Sequence, residues 1–307
     1  MTERHAAQAP ALRERHPQIF NIHYSIVARI PVRKYMIKGR FHWGLIAIVG
    51  LLLFFRVNVT AEQLPKGDCN APKPLTDLRH CVFWNKSKPL TDLRHCVFWN
   101  KSFSGIDLHG TLLDGVSLRG TNLTGCNLAG ASLRRADLRW SDFSKCQLPD
   151  TDFSNSNLFH TTFDGATMDR AKLNKAYMFG SRLNHVQARQ ADFTDAFMKD
   201  LNIANSDLSG SSFKRGYMLR AVIIGSNLSG ADLQNADLTG SALENTDFTR
   251  AKLNSASFRG VTLDETIFSE ANLDQADFTD AVIENMDETW FRHAINLPIH
   301  LQKMLNQ

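Results

Sequence analysis

The chain has 307 residues, enough for two domains, and a formal net charge of +4. This value averages two opposed regions, because residues 1–40 carry a net charge of +6 and residues 103–288 a net charge of −8. The overall charge therefore describes neither region, and the acidity of the longer one argues against a nucleic-acid partner.

Residues 1–43 form a basic tail, and residues 44–55, GLIAIVGLLLFF, contain no charged group. Twelve residues fall short of the ~20 that a spanning helix needs, and the length suits a signal-peptide core. A translation start at Met36 would give a signal peptide cut near Ala61, and a start at Met1 an uncleaved signal anchor at 44–61. The sequence thus predicts an inner-membrane protein held through 44–59, with the basic N-terminus cytoplasmic and the repeat domain that follows periplasmic or extracytoplasmic; the alternative is secretion to the periplasm after cleavage near Ala61.

Residues 62–102 are interpreted as a linker and N-terminal cap that contains a copied block. Lys73–Ser87 reads KPLTDLRHCVFWNKS, and Lys88–Ser102 repeats it residue for residue. Such identity indicates a recent duplication or a fault in the gene sequence. We expect the second copy to begin the periodic region that follows, because the first copy would place the charged Lys88 at a buried position.

Residues 103–288 show a period of five. From Phe103 to Ile283, 37 consecutive positions at this spacing are large apolar residues except Ala188, and these positions are called centres below. The residue two before each centre is nearly always small, and 13 of the 18 glycines stand two after a centre. A period of five fits neither a helix nor an ordinary strand, so it predicts a solenoid whose units each bury two side chains and then turn.

Individual units match a known repeat. Ala231-Asp232-Leu233 and Ala236-Asp237-Leu238 follow the pattern A-[DN]-L-x-x, and so do three further units, which begin at Ala136, Ala271 and Ala276. The chain therefore resembles the pentapeptide repeat family over about two thirds of its length. The resemblance implies an all-β fold, a right-handed quadrilateral parallel β-helix with four pentads per coil. An N-terminal hydrophobic helix and a short C-terminal helical cap would complete it.

The periodic register ends at Glu288, and residues 289–307 are predicted to cap the last coil. Trp290 and Phe291 supply bulky side chains, and Ile299–Leu305 is predicted to form a helix. Of the five cysteines, Cys126 and Cys146 are expected to be buried thiols stacked one coil apart. Three others form a possible disulfide set near the N-terminal cap: Cys69, Cys81 and Cys96.

The sequence provides no catalytic, cofactor-binding or metal-binding residues. The histidines of the periodic region are His109, His160 and His185, which the period places on different coils. No CxxC pair occurs, and an interior filled with Leu, Phe and Met leaves no room for a small-molecule substrate. The chain is therefore predicted not to be an enzyme.

Three functions remain open. The first is an exported or membrane-tethered scaffold that presents its β-helical rod to a protein partner or to a second copy. The second follows from the resemblance, since some family members are acidic DNA mimics that bind type II topoisomerases; the basic residues of the early coils, such as Arg119 and Arg134, count against it. The third is a secreted effector, which no residue pattern tests.

A candidate partner-binding face follows from the register, since residues 20 apart should lie one above another. Several apolar residues stand just before or just after a centre, where side chains should point outward and where Asp, Asn or Ser is usual. They are Phe159, Tyr177, Phe179, Phe197, Tyr217 and Leu219 on one side, with Val222 and Ile224 on the adjoining side. A contiguous apolar patch of this kind usually marks an interaction site.

Overall fold

A computed structural model describes residues 93–283, 288–291, 293 and 299–305, all within the compact unit Asn58–Gln307. Several predictions fall outside these residues: the basic tail, the hydrophobic segment 44–61 with its helix, the first copy of the repeated block, Cys69 and Cys81. The described part of the chain contains no helix long and apolar enough to cross a membrane. The predicted inner-membrane location is corrected on this finding.

The periodic region folds into stacked coils. Parallel bridges join residues 20 apart, beginning at Val97 with Ser117 and ending at Ser257 with Asp277. Four pentads therefore make one coil, and the β-helical solenoid is confirmed, whereas its right-handed sense remains a prediction. Four pairings are long enough to count as strands: β1, Asn202–Ala204, pairs with β2, Val222–Ile224, and β3, Thr262–Leu263, pairs with β4, Val282–Ile283.

The bridges form four ladders, which we number along one coil starting from Ser102, so that the ladder through Val97 and Ser117 is the fourth. The first ladder runs from Ser102 to Val282, the second from Asp107 to Ile267, the third from Leu112 to Asn272 and the fourth from Val97 to Asp277. The residue that makes each bridge stands just before a centre. Each ladder therefore presents one outward side chain per coil before the centre and another just after it.

Every described turn uses the same backbone geometry. All the residues two after a centre, from His95 to Asp280, have positive φ values near 60°. Glycine reaches this left-handed region without a Cβ clash, which accounts for the 13 glycines at this position. At Gly115 a Cβ would also lie 2.3 Å from the His95 ring, so a side chain there would have to displace that ring.

The interior is filled by two kinds of inward side chain. Nearly all centres are fully buried, and Phe rings stack across adjacent coils, as Phe193 does on Phe213 at 4.7 Å. Buried Ser and Thr hydroxyls two before a centre donate to a carbonyl on the preceding coil, for example Thr161 Oγ1 to Leu138 O at 2.8 Å. The register thus satisfies most of these polar atoms inside an apolar core, with Thr111 Oγ1 and Ser156 Oγ as the exceptions.

Two short helices follow the last coil. A 3-10 helix, Glu288–Phe291, places Phe291 on Phe268 with ring centroids 5.2 Å apart. The Phe268 N–H donates to Trp290 O at 2.6 Å. The helix α1, Ile299–Leu305, has the predicted bounds, and its Leu301 is fully buried in the core.

Cys126 and Cys146 are joined as a disulfide between adjacent coils, with Cα atoms 4.6 Å apart. The two cysteines are buried one coil apart, as predicted, but the prediction that they are free thiols is wrong. The 20-residue register brings their inward positions close enough to form a bond. Cys96 is fully buried at the same kind of position. The predicted pairing of Cys69 with Cys81 or Cys96 stays a prediction.

Candidate partner-binding face

Six of the eight predicted face residues lie on the fourth ladder, as the register requires. Tyr177, Phe197 and Tyr217 make consecutive bridges, and Phe159 and Phe179 follow their centres on adjacent coils. Phe159 and Phe179 belong to a column of residues that directly follow the centres, and this column continues through Lys199 to Leu219. The structure thus brings aromatic side chains from four coils onto one side of the stack, and we call this surface the aromatic ladder.

The rings of the aromatic ladder are stacked. Tyr177 and Phe197 have centroids 5.0 Å apart at 8°, Phe197 and Tyr217 4.9 Å apart at 21°, and Phe159 and Phe179 5.5 Å apart at 13°. Phe159 also stacks on Tyr177 at 6.2 Å, which links the two columns. Since each ring covers the face of the next, the ring edges are what the ladder offers to a partner.

This stacking makes the residues less accessible than expected from sequence. All eight are half-buried, although their side chains stand outside the core. Burial raises the pKa of the Tyr177 hydroxyl, as expected where surrounding protein disfavours the charged phenolate. The sequence prediction treated each side chain separately and did not allow for the shielding of each ring by its neighbours.

Val222 and Ile224 lie on the first ladder, beyond a turn of the chain. They are half-buried in β2, on either side of the buried Ile223. The turn before them carries an ion pair, Arg220 Nε to Asp200 Oδ1 at 2.8 Å. The two parts of the predicted face are therefore neighbours separated by a charged corner.

The structure adds three residues that the sequence reasoning did not assign to the face. Trp140 contacts Phe159 edge-on at 5.3 Å, and the Arg119 guanidinium lies over the Trp140 ring at 4.6 Å. Trp99 donates from its indole nitrogen to Ser117 on the next coil of the same ladder. The available signal was Trp140 itself, a tryptophan at the turn position that glycine occupies most often.

Several charged side chains around the coils are paired. Arg residues reach Asp residues one coil away, as in Arg170 to Asp150 and Arg215 to Asp195. In both pairs the hydrogen bond from the guanidinium lowers the pKa of the carboxyl. Among the described residues no cluster of three or more His, Cys, Asp or Glu could hold a metal ion.

Two sequence profiles of known families match this chain. The family profile described as "Pentapeptide repeat region" matches residues 91–163, and the profile "Pentapeptide repeats (8 copies)" matches 171–210, 217–254, 226–264 and 256–294. Together these matches cover more than half of the chain. No curated protein matches it.

Two solved structures illustrate the likeness. One is HetL, a pentapeptide repeat protein involved in heterocyst differentiation regulation from the cyanobacterium Nostoc sp. strain PCC 7120. It is 23% identical with a TM-score of 0.39, covering 71% of this chain and 92% of that one. The other is trypsin-treated QnrB1, a plasmid-mediated fluoroquinolone resistance protein, 19% identical with a TM-score of 0.46, covering 64% and 92%.

These structural similarities are too low to carry over a function, and the assignment rests on the sequence profiles. The matched profiles and the 20-residue bridge register agree on the same five-residue unit. The chain therefore belongs to the pentapeptide repeat family, whose coil stacks are binding scaffolds and not enzymes.

Proposed function

We propose that the protein is a non-enzymatic scaffold that binds a protein partner, or a second copy of itself, through the aromatic ladder. The face consists of the eight residues predicted from the sequence: Phe159, Tyr177, Phe179, Phe197, Tyr217 and Leu219 on the fourth ladder, with Val222 and Ile224 beside them. The observation that carries this proposal is the run of stacked rings at bridge positions where Asp, Asn or Ser is usual. Aromatic side chains are enriched at the energetic centres of protein interfaces.

An aromatic ladder could also serve only to hold adjacent coils together. The coils on either side argue against that role, because the same ladder continues with Asn157 before Tyr177 and with Asp237 after Tyr217. Asn157 Oδ1 accepts from the Phe159 N–H at 3.2 Å, and Asp237 Oδ1 from the Thr239 N–H at 3.0 Å. Coils therefore stack here with polar residues, and the aromatic replacements call for a further reason.

The test compares capture by the tagged full chain with capture by Phe197→Asn/Tyr217→Asn. Asn suits these positions because it can accept the same backbone hydrogen bond as Asn157. The matched control is Ile267→Asn, which removes a 39% exposed apolar side chain from the equivalent position of the second ladder. The proposal expects loss of the partner, or of self-association by light scattering, only in the double variant. Retention of both by the double variant would contradict it.

The DNA-mimicking function on a type II topoisomerase has less support. A mimic of DNA needs regularly spaced, accessible negative charge, whereas many described carboxylates are held by arginines on the neighbouring coil. These pairs include Asp114–Arg134, Asp150–Arg170, Asp169–Arg189, Asp195–Arg215 and Asp200–Arg220. A supercoiling assay with purified topoisomerase distinguishes the two functions, because only a DNA mimic should inhibit the enzyme at concentrations that saturate its DNA site.

A further inference from the structure

Trp140 stands in a backbone conformation that disfavours its side chain. Its φ is 56°, and among the described residues with positive φ it is the only one with a large apolar side chain. The left-handed conformation costs an L-residue roughly 1–2 kcal/mol relative to the right-handed one. The indole is also 46% exposed, so burial does not offset this cost. A strained and exposed tryptophan is a reason to look for a functional contact.

The surroundings of Trp140 form a basic, aromatic depression. It is lined by Trp99, Asn100, Arg119, Gly120 and Trp140. Gly120 contributes no side chain to it, and a Cβ there would lie 2.2 Å from Asn100 Oδ1. The depression therefore lies between two indoles on the outside of the first described coils.

Arg119 is the charged group of this depression. Its guanidinium is exposed and lies 4.6 Å from the centroid of the Trp140 ring. Across the residues that the structure describes, no carboxylate pairs with it. The neighbouring Arg139 differs, since its Nε and Nη2 bond both carboxylate oxygens of Asp137 at 2.7 and 2.6 Å. Arg119 is thus positioned by an aromatic ring while its hydrogen-bonding groups lack a carboxylate partner.

The depression continues into the aromatic ladder. Trp140 contacts Phe159 at 5.3 Å, and Phe159 stacks on Phe179. Lys199 then lies 5.9 Å from the Phe179 centroid, which places a second cation farther along the same face. The exposed edges of aromatic rings carry partial positive charge. Cations and ring edges together make this face suited to an anionic ligand, although the repeat region as a whole is acidic.

We propose that this depression binds a carboxylate side chain of an acidic protein segment, with Arg119 as its ion-pair partner and Trp140 as the apolar anchor. The proposal rests on the proposed function, because the same segment would continue along the aromatic ladder. A single-stranded nucleic acid fits less well, since stacked rings have no free faces for its bases. A second copy packed face to face through this surface fits less well too, because it would bring the same cations against it.

The test measures fluorescence anisotropy of two labelled synthetic peptides with the full chain. One peptide combines Glu with Leu and Phe, and the other has Lys in place of each Glu. The protein variants are Arg119→Glu and Trp140→Asn, the second chosen because Asn adopts positive φ readily, as Asn155 and Asn205 do. The control is Lys145→Glu, which makes the same charge change at an exposed turn after the first ladder.

We expect the Glu peptide to bind the wild type and Lys145→Glu with similar Kd, and each site variant at least about tenfold more weakly, as for an interface hot spot. Its binding should weaken with added salt. Equal binding of the Lys peptide, or preferential binding of an oligothymidylate probe, would overturn the proposal. So would concentration-dependent self-association that Arg119→Glu abolishes.

Failure of this proposal can be told apart from failure of the proposed function. If Phe197→Asn/Tyr217→Asn loses its captured partner while neither site variant affects the Glu peptide, the acidic chemistry is wrong and the binding face stands. If the double variant keeps its partner while Arg119→Glu loses the peptide, the depression binds an acidic segment independently of the aromatic ladder.

Discussion

Replacing Phe197 and Tyr217 by Asn separates a structural role of the aromatic ladder from a binding role. The double variant loses two ring stacks, at 5.0 and 4.9 Å, each worth about 0.5–1.5 kcal/mol beyond area burial. It can gain two side-chain hydrogen bonds to the N–H groups of Lys199 and Leu219, each worth about 0.5–1.5 kcal/mol, as Asn157 gains one from Phe159. The lost ring stacking and the gained hydrogen bonds nearly cancel. What remains is the lost burial of the two half-buried rings, so the free energy of unfolding should fall by about 1–3 kcal/mol.

The assay is thermal unfolding followed by circular dichroism. For a solenoid of this size the loss corresponds to a fall in Tm of roughly 2–12 °C, at about 2–4 °C per kcal/mol. The spectrum before unfolding should be unchanged. A variant that is unfolded at room temperature would refute the reasoning, because it would make the ladder a structural requirement and its exposed edges incidental. Ile267→Asn, which breaks no ring stack, should change the Tm less.

Three other predictions concern the coils themselves. Phe193→Ala should cost about 3–5 kcal/mol in chemical denaturation, because the ring is fully buried and stacked in the core; a cost near zero would contradict the packing. The hydrogen bond from Arg220 lowers the pKa of Asp200. The ionised Asp200 therefore stabilises the fold fully above the ordinary pKa of a carboxyl group, and this stabilisation is lost as the pH falls through the lowered pKa of Asp200. The fall in Tm between pH 7 and pH 2 should therefore be smaller for Asp200→Asn than for the wild type. An equal fall in Tm would contradict the pairing of Asp200 with Arg220. Deletion of Lys73–Ser87 should leave the Tm unchanged or higher, because without the first copy the charged Lys88 no longer has to occupy a buried centre and the coil stack begins smoothly at the second copy; a fall of several degrees would show that both copies are structural.

Much of the fold follows from the sequence because one period controls it. The centres, the small inward positions and the glycine turns each repeat every five residues, so Leu133 and Leu233 occupy equivalent, fully buried sites. The helix at Ile299–Leu305 followed from local signals just after a proline. Handedness has no such signal in the residues and came from the resemblance alone.

The features that sequence did not give depend on contacts between coils. The Cys126–Cys146 disulfide requires an oxidised pair as well as the register, and the register alone is compatible with two thiols. The half-burial of the aromatic ladder arises from ring-on-ring contact, which no single residue reveals. Trp140 and Arg119 went unassigned because they stand at different positions of the pentad and meet only when successive coils stack.

The location was predicted wrongly from the apolar residues 44–55. That stretch is shorter than a spanning helix requires, and the prediction rested on it together with the basic residues before it. The finding of no membrane-crossing helix in the described residues corrects it. The binding proposal does not depend on the location.

Hydroxyl-radical footprinting of the wild-type chain, alone and with its captured partner, tests the central claim most directly. Aromatic side chains are oxidised readily, and mass spectrometry reads each position separately. The account predicts reduced oxidation at Trp140, Phe159, Tyr177 and Tyr217, with unchanged oxidation at Ile267 on the second ladder. Protection of Ile267 with no change on the aromatic ladder would contradict it.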